Sequence, residues 1–323
     1  MKIVDKIIFN DKEYYKVYNG YELLFEVKKE VELEYLTFTA LEQSTILYNP
    51  SEVTTSQYSY DKVNWETADN VTLNLNTGDK VYFKGKIVGS NTTSSSAHFT
   101  MTGKISASGS IMSLQEGIPQ DNTIKYGYEF YKLFYNCTSL VTAPELPATT
   151  LMPYCYTRMF ESCENLVNAP DLTSSTLRAE CYSYMFTNCT SLTQAPELKA
   201  MKLEYRCYAG MFDGCTSLTN APELPSTMLD MQCYHTMFQG CISLTKAPVL
   251  PATLLIDGCY YGMFRDCSNL NYVKCDAMEY ISSNFNTWLR NVSPTGDFYC
   301  YDSSIFKRGN SGIPKGWTVH SEI

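Results

Sequence analysis

The feature that most constrains this chain is a 26-residue beat in its cysteines. Cys137, Cys163, Cys189, Cys215, Cys241 and Cys267 follow one another at 26-residue steps, and so do Cys155, Cys181, Cys207, Cys233 and Cys259. Only Cys275 and Cys300 of the 13 cysteines fall outside these two columns. Phe134, Phe160, Phe186, Phe212, Phe238 and Phe264 lie three residues before the first column. Leu140, Leu166, Leu192, Leu218, Leu244 and Leu270 lie three residues after it. Ala-Pro pairs ending at Pro144, Pro170, Pro196, Pro222 and Pro248 keep the same step, as do Leu151, Leu177, Leu203, Leu229 and Leu255. A register held without insertion through five or six copies marks a stack of like units. One such unit cannot bury its apolar face alone, so neighbours supply each other's missing interior and the ends need caps.

Within a unit, Leu177, Cys181, Met185 and Cys189 are spaced i, i+4, i+8, i+12 with Phe186 beside them. That spacing predicts one apolar stripe of a helix. The stretch CTSLTQAPEL that follows places Leu192, Ala195 and Leu198 inward with polar residues between them. Pro196 excludes a fully hydrogen-bonded central strand position, so a short extended segment ending near the proline is expected. The unit is then helix, turn, short strand and loop. In the columns cysteine serves as a small hydrophobe. The odd count and the ladder spacing argue for reduced thiols over a disulfide framework. No Cys-x-x-Cys and no nearby His is present, so no metal site is expected.

The composition, 44% hydrophobic and 18% charged, can bury a core. A net charge of −9 repels polyanions, and nucleic acid is not an expected partner. No apolar run approaches the ~18 to 20 residues needed to span a bilayer, so no membrane insertion is expected. The opening MKIVDKIIFNDKEYYKVYNG is interrupted by Asp5, Asn10, Asp11 and Lys12 and does not read as a secretory signal.

Ahead of the repeats, residues 1–32 read as an N-terminal β hairpin. Ile7 and Phe9 alternate, Leu23 and Phe25 alternate, and Asn19-Gly20 is a two-residue turn signal. Residues 33–118 read as an antiparallel β-sandwich, from the alternation of Leu36, Phe38 and Ala40, of Val71, Leu73 and Leu75, of Val81 and Phe83, and of Phe99 and Met101. The Gly89–Ser96 stretch reads as a loop available for contacts. The repeats occupy 119–281, as an α/β leucine-rich-repeat-like solenoid. Residues 282–323 read as a C-terminal cap, in which Trp288, Leu289, Phe298, Tyr299 and Trp317 cover the last unit and Asn284, Asn286 and Asn291 keep its outer side polar.

The run CTSLTNAPELPSTMLDMQCYHTMFQGC resembles the BspA-like leucine-rich repeat, with Met-Phe where that family has Ala-Phe. The terminal WLRNVSPTGDFYCYDSS and GNSGIPKGWTV resemble the ends of such arrays, and KIIFNDKEYYKVYNGYELLFEV resembles a segment at the start of gut-phage virion proteins. Family members occur in surface proteins of gut and oral bacteria and in the phages that infect them. The resemblance implies a ligand-binding or adhesive repeat array without one fixed ligand. For residues 1–32 it implies docking to other virion proteins, and an ordinary packed hairpin is the alternative.

Catalysis is not expected. His98, His235 and His320 lie in three separate regions. The sequence offers no Ser-His-Asp or Cys-His arrangement, no dinucleotide or phosphate loop and no EF-hand loop. No cofactor is expected. The candidate ligand ridge is the polar column Thr142, Asn168, Gln194, Asn220 and Lys246, which suits a sugar or a protein and equally suits plain solvation. A second candidate is the column Tyr156, Tyr182, Tyr208, Tyr234 and Tyr260, which reads as packing or as rings for stacking on sugars. The acids Glu145, Asp171, Glu197 and Glu223 share a further column that Val249 breaks, and they read as a solvated ridge.

The expectation is a non-enzymatic phage virion structural protein, a fibre or decoration protein of head or tail, contacting a host-surface glycan or protein. The alternative is a bacterial cell-surface adhesin. Such fibres are commonly symmetric, and a homo-oligomer stays open.

Overall fold

The structure, a computed structural model, describes residues 2–9, 12–19, 22–30, 34–50, 55–87, 97–115, 122–279, 281–309 and 311–322, the first three stretches through their backbone alone. It divides into two compact units, Met1–Tyr35 and Leu36–Ile323. The first is a three-stranded antiparallel meander of β1 (Lys2–Phe9), β2 (Lys12–Asn19) and β3 (Glu22–Glu30), in that order. Asn19 at the end of β2 pairs with Glu22 at the start of β3. Gly20 and the Gly89–Ser96 loop lie outside the described residues.

The second unit opens with two sheets. One has the order β10-β5-β8, from β5 (Ser44–Asn49), β8 (Thr72–Leu75) and β10 (His98–Thr102). The other has the order β12-β11-β4-β9-β6-β7. Its strands are β4 (Leu36–Ala40), β6 (Thr55–Ser59), β7 (Glu66–Thr67), β9 (Lys80–Lys86), β11 (Ile105–Ser108) and β12 (Leu140–Thr142). Alternation decides which side is buried: Leu36, Phe38 and Ala40 are covered while Thr37 and Thr39 are half-exposed. Inward rings from both sheets meet edge to face, Phe38 with Phe99 at 5.0 Å and Phe83 with Phe99 at 5.1 Å. Val71 precedes β8 and is exposed; only Leu73 and Leu75 of its expected trio are buried.

The repeats follow as stacked coils of 26 residues: coil 1 at 126–151, coil 2 at 152–177, coil 3 at 178–203, coil 4 at 204–229, coil 5 at 230–255 and coil 6 at 256–281. The expected helix is absent. Among the described residues there is no α-helix, so the α/β assignment of the repeat is corrected: the array is a β-rich repeat fold. Leu177, Cys181, Met185 and Cys189 are buried as a stripe, but on a chain of linked turns.

The backbone bookkeeping shows how. In coil 3, Ser183, Met185, Thr187 and Cys189 donate their N–H to the carbonyl three residues back. The intervening Tyr182, Tyr184, Phe186 and Asn188 donate to Cys207, Ala209, Met211 and Asp213 of coil 4, at 2.7 to 3.1 Å. Every second N–H thus closes a turn, and the others cross to the next coil, so the buried backbone is satisfied without a helix. Each fourth residue takes a left-handed φ: Glu180 at 53°, Tyr184 at 54° and Asn188 at 58° in coil 3. The physical reason for the difference is the period. In a helix of 3.6 residues per turn, a strict step of four drifts by about 40°, or about 120° over three steps. A turn repeat of four holds the stripe without drift.

Columns fill the interior. Phe160, Phe186 and Phe212 are fully buried, and their rings stack at 5.6 and 5.8 Å. All 13 cysteines are free and buried. First-column thiols donate across the stack: Cys163 Sγ to Phe134 O, Cys189 Sγ to Phe160 O and Cys215 Sγ to Phe186 O, each at 3.1 Å.

The two sheets close the open end of coil 1 by imitating a coil. Phe99 stacks on Phe134 at 5.5 Å, its N–H donates to Leu133 O, and its carbonyl accepts from Cys137 Sγ at 3.1 Å. Those are the contacts Phe134 makes with coil 2, where its N–H meets Met159 O and its carbonyl meets Cys163 Sγ. At the other end, β13 (Tyr272–Cys275), β14 (Gly296–Cys300) and β15 (Trp317–Ser321) form a parallel sheet in that order. Trp288 is buried and its indole N–H donates to Gly312 O. Asn284 is not on the polar outer side as expected: it is fully buried, and its Oδ1 accepts the N–H of Cys259. Asn286 and Asn291 are exposed.

Candidate functional site

Each coil presents one extended face, set by the short segment between the Leu column and the prolines. Leu192 turns inward, Thr193 and Gln194 turn outward, and Pro196 ends the pairing. The polar column Thr142, Asn168, Gln194, Asn220 and Lys246 is exposed throughout. Parallel bridges join Thr142 to Asn168, Asn168 to Gln194, Gln194 to Asn220, and Lys246 to Tyr272. The bridged residues therefore stand side by side at strand spacing, about 4.8 Å apart.

The ladder is longer than its periodic part. Upstream, Ser106 of β11 pairs with Thr142, their hydroxyls 2.6 Å apart. Downstream, Tyr272 pairs with Asp297 and Asp297 with Thr318. Tyr272 was legible as the next member, 26 residues after Lys246. Ser106 was not, because it sits 36 residues before Thr142.

The tyrosine column lies elsewhere. Tyr156, Tyr182, Tyr208, Tyr234 and Tyr260 are each at most 2% exposed. Their rings stack on one another at 5.8 to 6.2 Å. Burial drives their hydroxyl pKa values well above the ordinary range. They have no face free to stack on a sugar, and that candidate role is withdrawn. The thiols of the structural ladder are likewise pushed up by burial, Cys137 and Cys267 to about 12, so they stay protonated as donors.

Chemistry is sparse. Among the described residues no group of three His, Cys, Asp or Glu is placed to hold a metal. His235 is half-buried, its ring stacked on Tyr261 at 4.7 Å. Burial first, then Arg206 and Arg265, push its pKa down to about 4. No described helix is long and apolar enough to cross a membrane.

Grooves among the described residues cut the extended face. A smaller one of about 290 Å³ lies between coils 1 and 2, against Pro144, Glu145, Pro170 and Asp171. A larger one of about 440 Å³ lies between coils 4 and 5 and takes in two ladder residues, Asn220 and Lys246.

The comparisons with known proteins agree with the architecture. Residues 130–199 and 207–310, just over half of the chain, match the BspA type leucine rich repeat region in six copies. The chain belongs to that family. No curated protein and no solved structure matches it. In this BspA-type repeat protein the matched stretch runs past coil 6 to take in β14 and ends before β15, while the ladder continues through both.

Proposed function

We propose that this protein is a non-enzymatic binding protein that acts as a structural component of a phage virion, a fibre or decoration protein of head or tail. In this reading the coils act as one solenoid, and the facing sheets are an antiparallel sandwich that spaces it from the particle. The unit Met1–Tyr35 docks to other virion proteins, and the solenoid meets a glycan or protein of the host surface. The observation that carries the binding role is the ladder. Hydroxyl and amide side chains repeat in one row from Ser106, which is half-buried, through Thr142, Asn168, Gln194 and Asn220, which are exposed. Such a row offers donors and acceptors at even spacing on a rigid frame, which suits a repeating polymer. The virion role rests on the N-terminal resemblance and on that segment forming a compact unit by itself. The family match supports a second reading, a bacterial cell-surface adhesin.

Proteomics of purified particles separates the two. The virion reading expects this chain among the particle proteins; its presence in a bacterial outer-membrane fraction and absence from particles overturns that reading in favour of the adhesin. Binding to a glycan array tests the ladder. Replacing Asn168, Gln194 and Asn220 together by Ala is expected to abolish retention of any glycan bound by the wild type, and unchanged retention rejects the row as the contact surface.

A further inference from the structure

The polar row does not stop at the coils. Ser106 of β11 pairs with Thr142 on one side and with Thr39 of β4 on the other, and Thr39 pairs in turn with Lys80 of β9. These side chains leave one face, because their neighbours Ile105, Ala107, Phe38, Ala40 and Val81 turn into the core. The outer face of the six-stranded sheet and the ladder face of the coils are thus one surface. From Lys80 to Asn220 the row crosses six pairings, about 29 Å at strand spacing.

Two aromatic rings stand at the sheet end of that surface. The other outward residues of β4 and β11 there are threonines and serines, and Lys80 and Lys84 flank Tyr82 on β9. Tyr82 is half-exposed and lies opposite Thr37, beside the row. Trp65, also half-exposed, joins it from the loop before β7. Lys84 Nζ lies 4.0 Å from the Trp65 ring centroid, and Lys62 Nζ lies 4.9 Å from that of Tyr82. The indole is held in place, its N–H donating to Lys62 O at 3.1 Å. Neither ring belongs to the buried core. A lysine over a ring near water is a weak contact, so another group can take its place at little cost. Rings on a polar sheet offer a flat apolar surface to the C–H face of a sugar, while the hydroxyls and amides of the row suit its hydroxyls.

The charges along the surface decide the charge of the ligand. Lys62, Lys80 and Lys84 surround the rings. Asp61 and Glu66 are there too, accepting from the Val63 and Asn64 N–H groups and from the Tyr58 hydroxyl. Along the coils run Glu145, Asp171, Glu197 and Glu223. A polyanion is repelled along the coils and a polycation near the lysines, whereas a neutral chain crosses both without penalty.

We propose that Trp65 and Tyr82 form a stacking subsite for a neutral linear glycan whose remaining units lie along the row from Thr39 to Asn220. This rests on the row being a binding surface, and it gives the sheet ahead of the coils a share in binding beyond spacing.

Tryptophan fluorescence reads the subsite directly. Of the three tryptophans, Trp288 and Trp317 are at most 2% exposed, so a change in emission on binding reports Trp65. Neutral glycans retained on an array are titrated, as oligomers of rising length, against the whole chain. Emission is expected to shift, and affinity to climb until the oligomer spans about 29 Å. Trp65→Ala and Tyr82→Thr are each expected to weaken the long oligomer by about tenfold, and Trp65→Phe and Tyr82→Phe, which keep a ring, to restore most of it. Threonine already stands outward at Thr37 and Thr39, so the strand tolerates it. Binding indifferent to both ring variants, with no change in emission, overturns the subsite; if the Asn168, Gln194 and Asn220 variant still abolishes retention, the ladder reading stands and the sheet only spaces. Binding lost with the rings but kept in that ladder variant overturns the shared footprint and the ladder reading together. Hits confined to charged glycans overturn the proposal, and no glycan hit at all removes the glycan arm of the ladder reading with it.

Discussion

Phe186 is the sharpest probe of how the coils hold one another. Its side chain is fully buried, between Phe160 at 5.6 Å and Phe212 at 5.8 Å. Truncating a buried Phe to Ala removes its transfer free energy and leaves a cavity, about 3–5 kcal/mol together. If stability resides in neighbour contacts, the loss is shared by two interfaces and depends on who stands next door. Milder substitutions measure that dependence. In a double-mutant cycle, Phe160→Leu and Phe186→Leu remove a stacked pair whose interaction is worth about 0.5–1.5 kcal/mol beyond area burial. The pair Phe134→Leu and Phe212→Leu spans four coils with Phe160 and Phe186 between, and its two effects are expected to add within ~0.5 kcal/mol. Urea melts of the four single and two double variants supply the numbers. Coupling as large for the distant pair as for the adjacent one refutes the neighbour account.

Three further outcomes follow from particular residues. Glu129 is 4% exposed, accepts N–H bonds from Lys125 and Tyr126, and is pushed by burial to a pKa of about 7 from 4.5. A carboxyl raised in the folded state stabilises fully below the unfolded value and loses that contribution as pH climbs through the folded one. Stability is therefore expected to fall by up to ~3 kcal/mol between about pH 4.5 and pH 7, and Glu129→Gln to flatten that fall in denaturant melts; an equal fall in the variant contradicts it. Asn188 sits at φ 58°, so Asn188→Gly is expected to change stability by only a few tenths of a kcal/mol and Asn188→Ala to cost about 1 kcal/mol. Were the segment helical, Ala would stabilise instead, which makes the sign of one melting shift decisive. With all 13 thiols buried and protonated, a thiol reagent is expected to label essentially none in the native protein and all after denaturation; prompt labelling of the native ladder cysteines would show that the columns are open.

Most of the stack is legible in the periodic residues of the sequence. Stacking, the phenylalanine and leucine columns, the free thiols and the exposed polar row all follow from spacing, because each column occupies one environment and so keeps one chemical character. The secondary structure inside the unit did not follow, since a four-residue turn repeat imitates the i, i+4 stripe of a helix. The signal against a helix was present: Asn136, Ser162, Asn188, Gly214, Gly240 and Asp266 share one column, and most of these side chains tolerate a left-handed φ. Burial of the tyrosine column was not legible, because a phenol serves equally at a wet rim or inside. Nor was the role of Phe99, which joins the phenylalanine column from a strand 35 residues before Phe134. Glu129 shows the opposite case: it stands 26 residues before Cys155, as a carboxylic acid at the head of a thiol column.

Removal of one whole period tests the stack most directly. Deleting residues 178–203 joins Leu177 to Glu204 and brings coil 2 against coil 4, with Phe160 facing Phe212 and Cys215 Sγ facing Phe160 O. Deleting 178–190, half a period, puts every column out of register. Thermal unfolding followed by far-ultraviolet circular dichroism is expected to show a cooperative transition for the first and none for the second. A whole-period deletion that unfolds as completely as the half-period one would mean that the coils are not interchangeable neighbours.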